Sequence, residues 1–142
     1  MRCFTDLGPI ECMQQMDRIA ESLGAWISVT EVDKIRKRVP APSEIKPGMT
    51  DEERRSAVED FQRRKNDQAI KNLLAMVHAV FGEHPRETLE LLALICCVPA
   101  EEAESHKLTE YLTVLTKALT SEDAMGFFTS FRLLVQMATS GR

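Results

Sequence analysis

Ile70-Lys71-Asn72-Leu73-Leu74-Ala75-Met76-Val77-His78-Ala79-Val80-Phe81 is followed by Gly82-Glu83-His84-Pro85-Arg86-Glu87 and then by Thr88-Leu89-Glu90-Leu91-Leu92-Ala93-Leu94-Ile95-Cys96-Cys97-Val98. Two apolar segments around a short Gly/Pro break form the one-dimensional pattern of a helical hairpin. In the first segment Ile70, Leu73, Leu74, Val77, Val80 and Phe81 recur at helical spacing and define one face. The second has no polar residue from Leu91 to Val98, which asks for burial on most of its circumference. This hairpin is the expected core, and the other elements are read outward from it.

Upstream, Thr50-Asp51-Glu52-Glu53 has the form of a capping box, with early acids suited to a helix N-terminus. No Pro or Gly follows until Gly82, so one helix of about 30 residues, roughly 45 Å long, is expected. Its halves differ. Residues 51–68 hold only Ala57, Val58 and Phe61 as apolar positions among many charges, so this half is expected to project into solvent while residues 69–81 anchor in the core. Before it, Pro40, Pro42 and Pro47 break residues 39–49 into a surface linker between the N-terminal helices and the main bundle. Nearer the N-terminus, Cys12, Met16, Ile19, Leu23 and Trp26 fit one face of a helix that opens at Pro9 or Ile10, with Gly24 as its expected stop. Thr30 and Asp33 suggest a cap for a short helix through Val32, Ile35 and Val39, although the β-branched residues there also suit an extended segment.

Downstream, Pro99 and the acids after it start a short helix. Leu108, Tyr111, Leu112, Leu115 and Leu119 form the stripe of another. Ser121-Glu122-Asp123 caps a last helix over 124–138, whose Met125, Phe128, Phe131 and Val135 share a face, and residues 139–142 read as a frayed end. The sum is an all-α fold: a single-domain bundle, residues 1–142, of six or seven helices around the hairpin.

The chain has 142 residues, of which 44% are hydrophobic and 28% charged, an ordinary globular mixture large enough for a core. No apolar run reaches the roughly 18–20 residues of a membrane span, and Met1 to Asp6 lacks the features of a signal peptide; a cytoplasmic protein is expected. Charge is uneven. Residues 1–33 carry two bases against six acids, residues 34–65 ten against six, and residues 66–142 six against ten. A basic middle lies between acidic flanks.

Catalytic chemistry finds little support. The sequence holds no phosphate loop, nucleophile elbow or H-E-x-x-H. His84, next to Pro85, reads as a turn residue and His78 as a core histidine bonded to a carbonyl. His78, His84 and Cys96 or Cys97 lack the local spacing of a zinc site. Cys96 and Cys97 read as small hydrophobes inside an apolar helix. No enzyme activity and no cofactor are expected. Lys34, Arg36, Lys37 and Arg38, with Arg63, Arg64 and Lys65, are the residues a nucleic-acid module would use. The interleaved acids and the absence of aromatics near the first cluster favour a solvated or protein-binding face.

One stretch carries a family signal. His84-Pro85-Arg86-Glu87-Thr88-Leu89-Glu90-Leu91-Leu92-Ala93-Leu94-Ile95, then Val98-Pro99-Ala100-Glu101-Glu102, resembles the tail assembly chaperones of long-tailed bacteriophages and prophages, over residues 66–138. The resemblance implies a small helical protein of the host bacterial cytoplasm, absent from the mature virion. It would bind the tape-measure protein and keep it soluble while tail-tube subunits polymerise around it. Within that reading the expected partner-binding residues are Arg54, Arg55, Phe61 and Arg64 on the projecting half-helix and Phe127 and Phe128 at the domain edge, with self-association as a further expectation. Two alternatives remain open at this stage: a phage-encoded helical adaptor or inhibitor of a host protein, and a nucleic-acid-binding module using residues 34–65.

Overall fold

The computed structural model describes residues 1–140, the side chain of Ala124 excepted. Among the described residues there are six α-helices and no strand, so the class is all-α as expected: α1 (Pro9–Thr30), α2 (Val32–Arg36), α3 (Asp51–Val77), α4 (Pro85–Ile95), α5 (Leu108–Thr120) and α6 (Glu122–Ser140). Short 3-10 turns lie at Phe4–Asp6 and Ala100–Ser105, and a π-helical turn spans His78–Glu83. The elements gather into two compact units, one built from residues 1–25 and from residue 86 onward, the other from residues 26–85. The expected frayed end is helical through Ser140; Gly141 and Arg142 lie outside the described residues.

The first unit is organised by α4. Leu91, Leu92, Ala93, Cys96 and Val98 are all buried, as the unbroken apolar run requires. Leu92, Ala93, Cys96 and Val98 pack with Ala103 and Tyr111 in one cluster, while Cys3, Phe4 and Ala118 form a second with Cys12, Met16 and Ile19 of α1 against it. A helix leaves its last carbonyls without intrahelical partners, and here those of Leu92, Ala93 and Leu94 find donors in the residues that follow. The Val98 amide donates to Ala93 O at 2.8 Å and the Cys97 amide to Leu94 O at 3.4 Å. Together they make a Schellman turn with Cys97 in the left-handed region, at φ 55°. Leu94 O also accepts from Gln15 Nε2 of α1 at 2.6 Å. Cys96 O accepts from the Arg2 amide at 3.3 Å, which pins the N-terminal segment. The two cysteines therefore sit at the end of α4 rather than within it.

On α5 the buried stripe is Tyr111 and Ala118 with Val114 and Leu115 partly covered, whereas Leu108, Leu112 and Leu119 of the expected stripe are exposed. Tyr111 is fully buried and its hydroxyl donates to Ala103 O at 2.6 Å. The expected core face of α6 is also outside: Met125, Phe128, Phe131 and Val135 are exposed. Only the first turns of α6 pack, where Phe127 meets Phe4 edge-to-face at 6.1 Å.

In the second unit, α1 runs past Gly24 without a break. A Cβ on Gly24 would meet nothing within 4 Å, so that position asks nothing of glycine. The helix stops instead at Glu31, which takes the left-handed conformation at φ 56° and precedes α2. Thr30 is not a cap, since its hydroxyl donates back to Trp26 O at 2.7 Å. Helix α2 ends at Arg36 and leaves Val39 exposed. The Pro-rich segment that follows does not lead from one body to another: it joins α2 to α3, which pack on each other within this unit. The capping box at the head of α3 forms as expected, the Glu53 amide donating to Thr50 Oγ1 at 3.1 Å and the Thr50 amide to Glu53 Oε2 at 3.4 Å. At the other end the His84 amide reaches back five residues to Ala79 O at 3.1 Å and closes the π turn.

The first arm of the hairpin departs most from expectation. Ile70, Leu73, Leu74, Val77 and Phe81 are exposed, with Leu74 at 64%. The covered stripe of α3 lies on the opposite side and sets the polar Arg64, Gln68 and Asn72 among Ala57, Phe61, Ala75 and Met76. Asn72 is buried, and its Nδ2 donates to Arg38 O at 2.9 Å. Arg64 donates to Ala41 O at 3.0 Å and to Ser43 Oγ at 2.7 Å. The helix has turned its polar side toward the Pro-rich loop, whose carbonyls need donors that prolines cannot supply. It is therefore not anchored by residues 69–81, and Phe61 and Arg64 belong to packing rather than to a free arm.

Candidate protein-binding surfaces

Chemical centres can be weighed residue by residue. His78 is not a core histidine; its side chain is 72% exposed and Nε2 lies 3.3 Å from Glu83 Oε1 across the π turn. Gly82 allows this approach, since a Cβ there would stand 3.0 Å from His78 Nδ1. His84 caps the same turn. Among the described residues no three His, Cys, Asp or Glu side chains are placed to hold a metal ion. Burial pushes the Cys96 thiol up to about 11, and burial likewise raises Cys12 and Cys97. These thiols stay protonated near neutral pH, the opposite of what a nucleophile needs.

Lys34, Arg36, Lys37, Arg63 and Arg64 of the basic middle are each paired with a neighbouring carboxylate. Arg36 and Lys37 both reach Asp33 at 2.8 Å, and Lys34 reaches Glu31 at 3.3 Å. Hydrogen bonds from Lys37 and then Arg36 hold the Asp33 carboxyl below its usual range. Arg63 and Arg64 share Asp60 at 3.4 and 3.1 Å. Cations committed to neighbouring carboxylates release fewer counterions on meeting a phosphate backbone.

Three surfaces remain. The first is the outer face of α3, where Ile70, Leu73, Leu74 and Val77 line two turns and Phe81 of the π turn continues them. Large side chains at i, i+3, i+4, i+7 and i+11 on an exposed helix make the pattern by which one amphipathic helix takes another. The second is a groove of about 710 Å³ between α1 and α4. Its floor is Leu89, Ala93, Leu94, Val98 and Ala103, and Arg18, Glu21, Arg86, Glu90, Glu101 and Glu104 stand around its rim. The third is α6, exposed from Phe128 to its end.

The residues expected from sequence to bind a partner are scattered over these elements. Arg54 and Arg55 are exposed on the first turns of α3. Phe61 is half-buried, with the Arg64 guanidinium 5.9 Å from its ring centre, and Arg64 donates to the Pro-rich loop. Phe127 is partly buried against Phe4 and Phe128 is at the edge, 5.5 Å from Phe127 between ring centres. Sequence reasoning placed the α3 outer face in the core and so missed it. The available signal was that residues 57–75 carry a second, polar-lined stripe at the same period, opposite the apolar one. No protein-family model, curated protein or solved structure matches the chain.

Proposed function

We propose that this chain is a non-enzymatic chaperone-type binding protein that receives a long amphipathic helix of another protein on the outer face of α3. The observation that carries the reading is the inverted helix: α3 commits its polar stripe to its own loop and keeps Ile70, Leu73, Leu74, Val77 and Phe81 outside. An apolar face of that size on an isolated protein marks an interaction site rather than a neutral surface. Together with the motif over residues 84–102, this supports the tape-measure protein of a long-tailed phage as the partner, held in the bacterial cytoplasm until tail-tube subunits enclose it.

The test is co-expression with the tape-measure protein encoded beside this gene. The soluble fraction of that protein should rise with the wild-type chain and fall back with Leu73→Glu and Leu74→Glu combined. Equal solubility with and without the wild-type chain would sink the reading.

A further inference from the structure

Helix α6 raises a separate question. Between Ala124 and Ser140 it has one charged side chain, Arg132, and every described residue after Phe127 is exposed, with Phe128, Phe131 and Val135 at 38%, 47% and 45%. A helix that is apolar on most sides ordinarily has its faces covered by packing rather than by water. Phe128, Phe131, Val135 and Ala138 follow one another at steps of 3, 4 and 3, the seam of a two-stranded coiled coil.

That seam complements itself when reversed. About a two-fold axis at residue 133, Phe128 stands opposite the second copy's Ala138 and Phe131 opposite its Val135. Each layer sets a large side chain against a smaller one, as interdigitated layers require. In a parallel pair the same positions would stack Phe on Phe twice and leave Ala facing Ala. We infer that α6 is a self-association helix whose occupant is α6 of a second copy, packed antiparallel about a two-fold axis.

The antiparallel arrangement also opposes the two helix dipoles favourably. Such a two-fold contact is closed and stops at the dimer. Leu134, 66% exposed, flanks the axis and extends the contact. Half-exposed side chains of this size offer about 500 Å² per copy, so the pair buries about 1,000 Å², the lower bound of specific interfaces. The dimer is accordingly weak and concentration-dependent. It does not rest on the identity of any other partner, and it would present two α3 faces in one particle, raising avidity for a long helix.

Sedimentation equilibrium of the full chain from about 1 to 300 µM should give a monomer–dimer equilibrium in the micromolar range. Val135→Arg should weaken it about a hundredfold by burying an unpaired charge. Leu133→Arg should leave it within about twofold, because Leu133, 55% exposed, lies on the far side of α6 from the seam. Phe131→Val and Val135→Phe should each weaken the dimer about tenfold, and the double variant should recover it, since the large–small pairing is restored. A wild-type chain that stays monomeric throughout, species larger than a dimer, equal damage from Leu133→Arg and Val135→Arg, or no recovery in the double variant would each overturn the inference. Failure here leaves the α3 reading standing, because tape-measure solubility is scored separately.

Discussion

Replacing Tyr111 by Phe isolates one hydrogen bond at the centre of the first unit. Tyr111 has no exposed surface, its hydroxyl donates to Ala103 O at 2.6 Å, and Ala103 is itself buried. The ring also lies edge-on to His106 at 6.1 Å, and Tyr111 O accepts a weak bond from Cys96 Sγ at 3.8 Å. Phe keeps the ring and the packing, so no large cavity opens. What is lost is the hydroxyl donor to the carbonyl of a buried residue within the 3-10 turn Ala100–Ser105. Leaving a buried acceptor unsatisfied costs about 1–3 kcal/mol. For a chain of this size that lowers Tm by about 3–10 °C. Urea denaturation should show a lower midpoint at unchanged slope, since the area exposed on unfolding is the same. Tyr111→Ala adds the missing ring and should cost at least about 3 kcal/mol. If Tyr111→Phe proves as stable as wild type while Tyr111→Ala unfolds the unit, the hydroxyl is not what holds the 3-10 turn to α5, and the reasoning fails.

Three further outcomes are expected. Cys96 is neutral in the folded state and pushed up to about 11 by burial, so the unfolded chain loses that proton first as pH rises. Stability should be flat below about pH 8 and fall by up to about 3 kcal/mol between pH 9 and 11, a slope that denaturation at several pH values should find reduced in Cys96→Ala. Thr50→Ala removes half of the capping box of α3 and should cost about 1 kcal/mol, seen as lost helical ellipticity at intermediate urea. Leu73→Glu with Leu74→Glu should shift thermal stability by no more than about 0.5 kcal/mol because both side chains are exposed, whereas Leu92→Ala should cost about 2–5 kcal/mol; comparable losses would place the outer face of α3 in a core after all.

Legibility followed the range of the forces involved. The start of α1 at Pro9 and the capping box at Thr50 depend on residues within one turn, and both were readable. The buried run through α4 was readable because an all-round apolar helix has only one comfortable place. The stops were not. Gly24 sits inside α1 with open space around it, while the left-handed positions fall to Glu31 and Cys97. A non-glycine residue in that region costs about 1–2 kcal/mol, and the cost at Cys97 is offset by Val98 and Cys96 entering the core, which no local pattern reveals. For the candidate surface the obstacle was different. Periodicity locates an apolar face but does not say what covers it.

The inverted face of α3 can be examined as a choice between two orientations. Turning Ile70, Leu73, Leu74, Val77 and Phe81 inward would bury the half of each that now meets water, worth about 5–7 kcal/mol in all. The observed orientation gains instead the bonds from Asn72 to Arg38 O and from Arg64 to Ala41 O and Ser43 Oγ, worth about 2–5 kcal/mol net. Counted that way the observed side is the weaker one. The balance changes once the loop is included. With α3 rotated, the carbonyl of Arg38, now served by the part-buried Asn72 bond, would face aliphatic side chains, and leaving such an acceptor unsatisfied costs a further 1–3 kcal/mol or so. Pro40, Pro42 and Pro47 have no N–H with which the loop might serve itself. The Pro-rich loop therefore selects the polar side of α3, and the apolar side is left over for whatever binds. On the proposed reading those 5–7 kcal/mol are the part of the partner's binding energy that folding does not consume. The same logic makes Arg64→Leu informative: loss of its three donors should destabilise the second unit and, by releasing the loop, weaken tape-measure binding although Arg64 itself faces away from the proposed site.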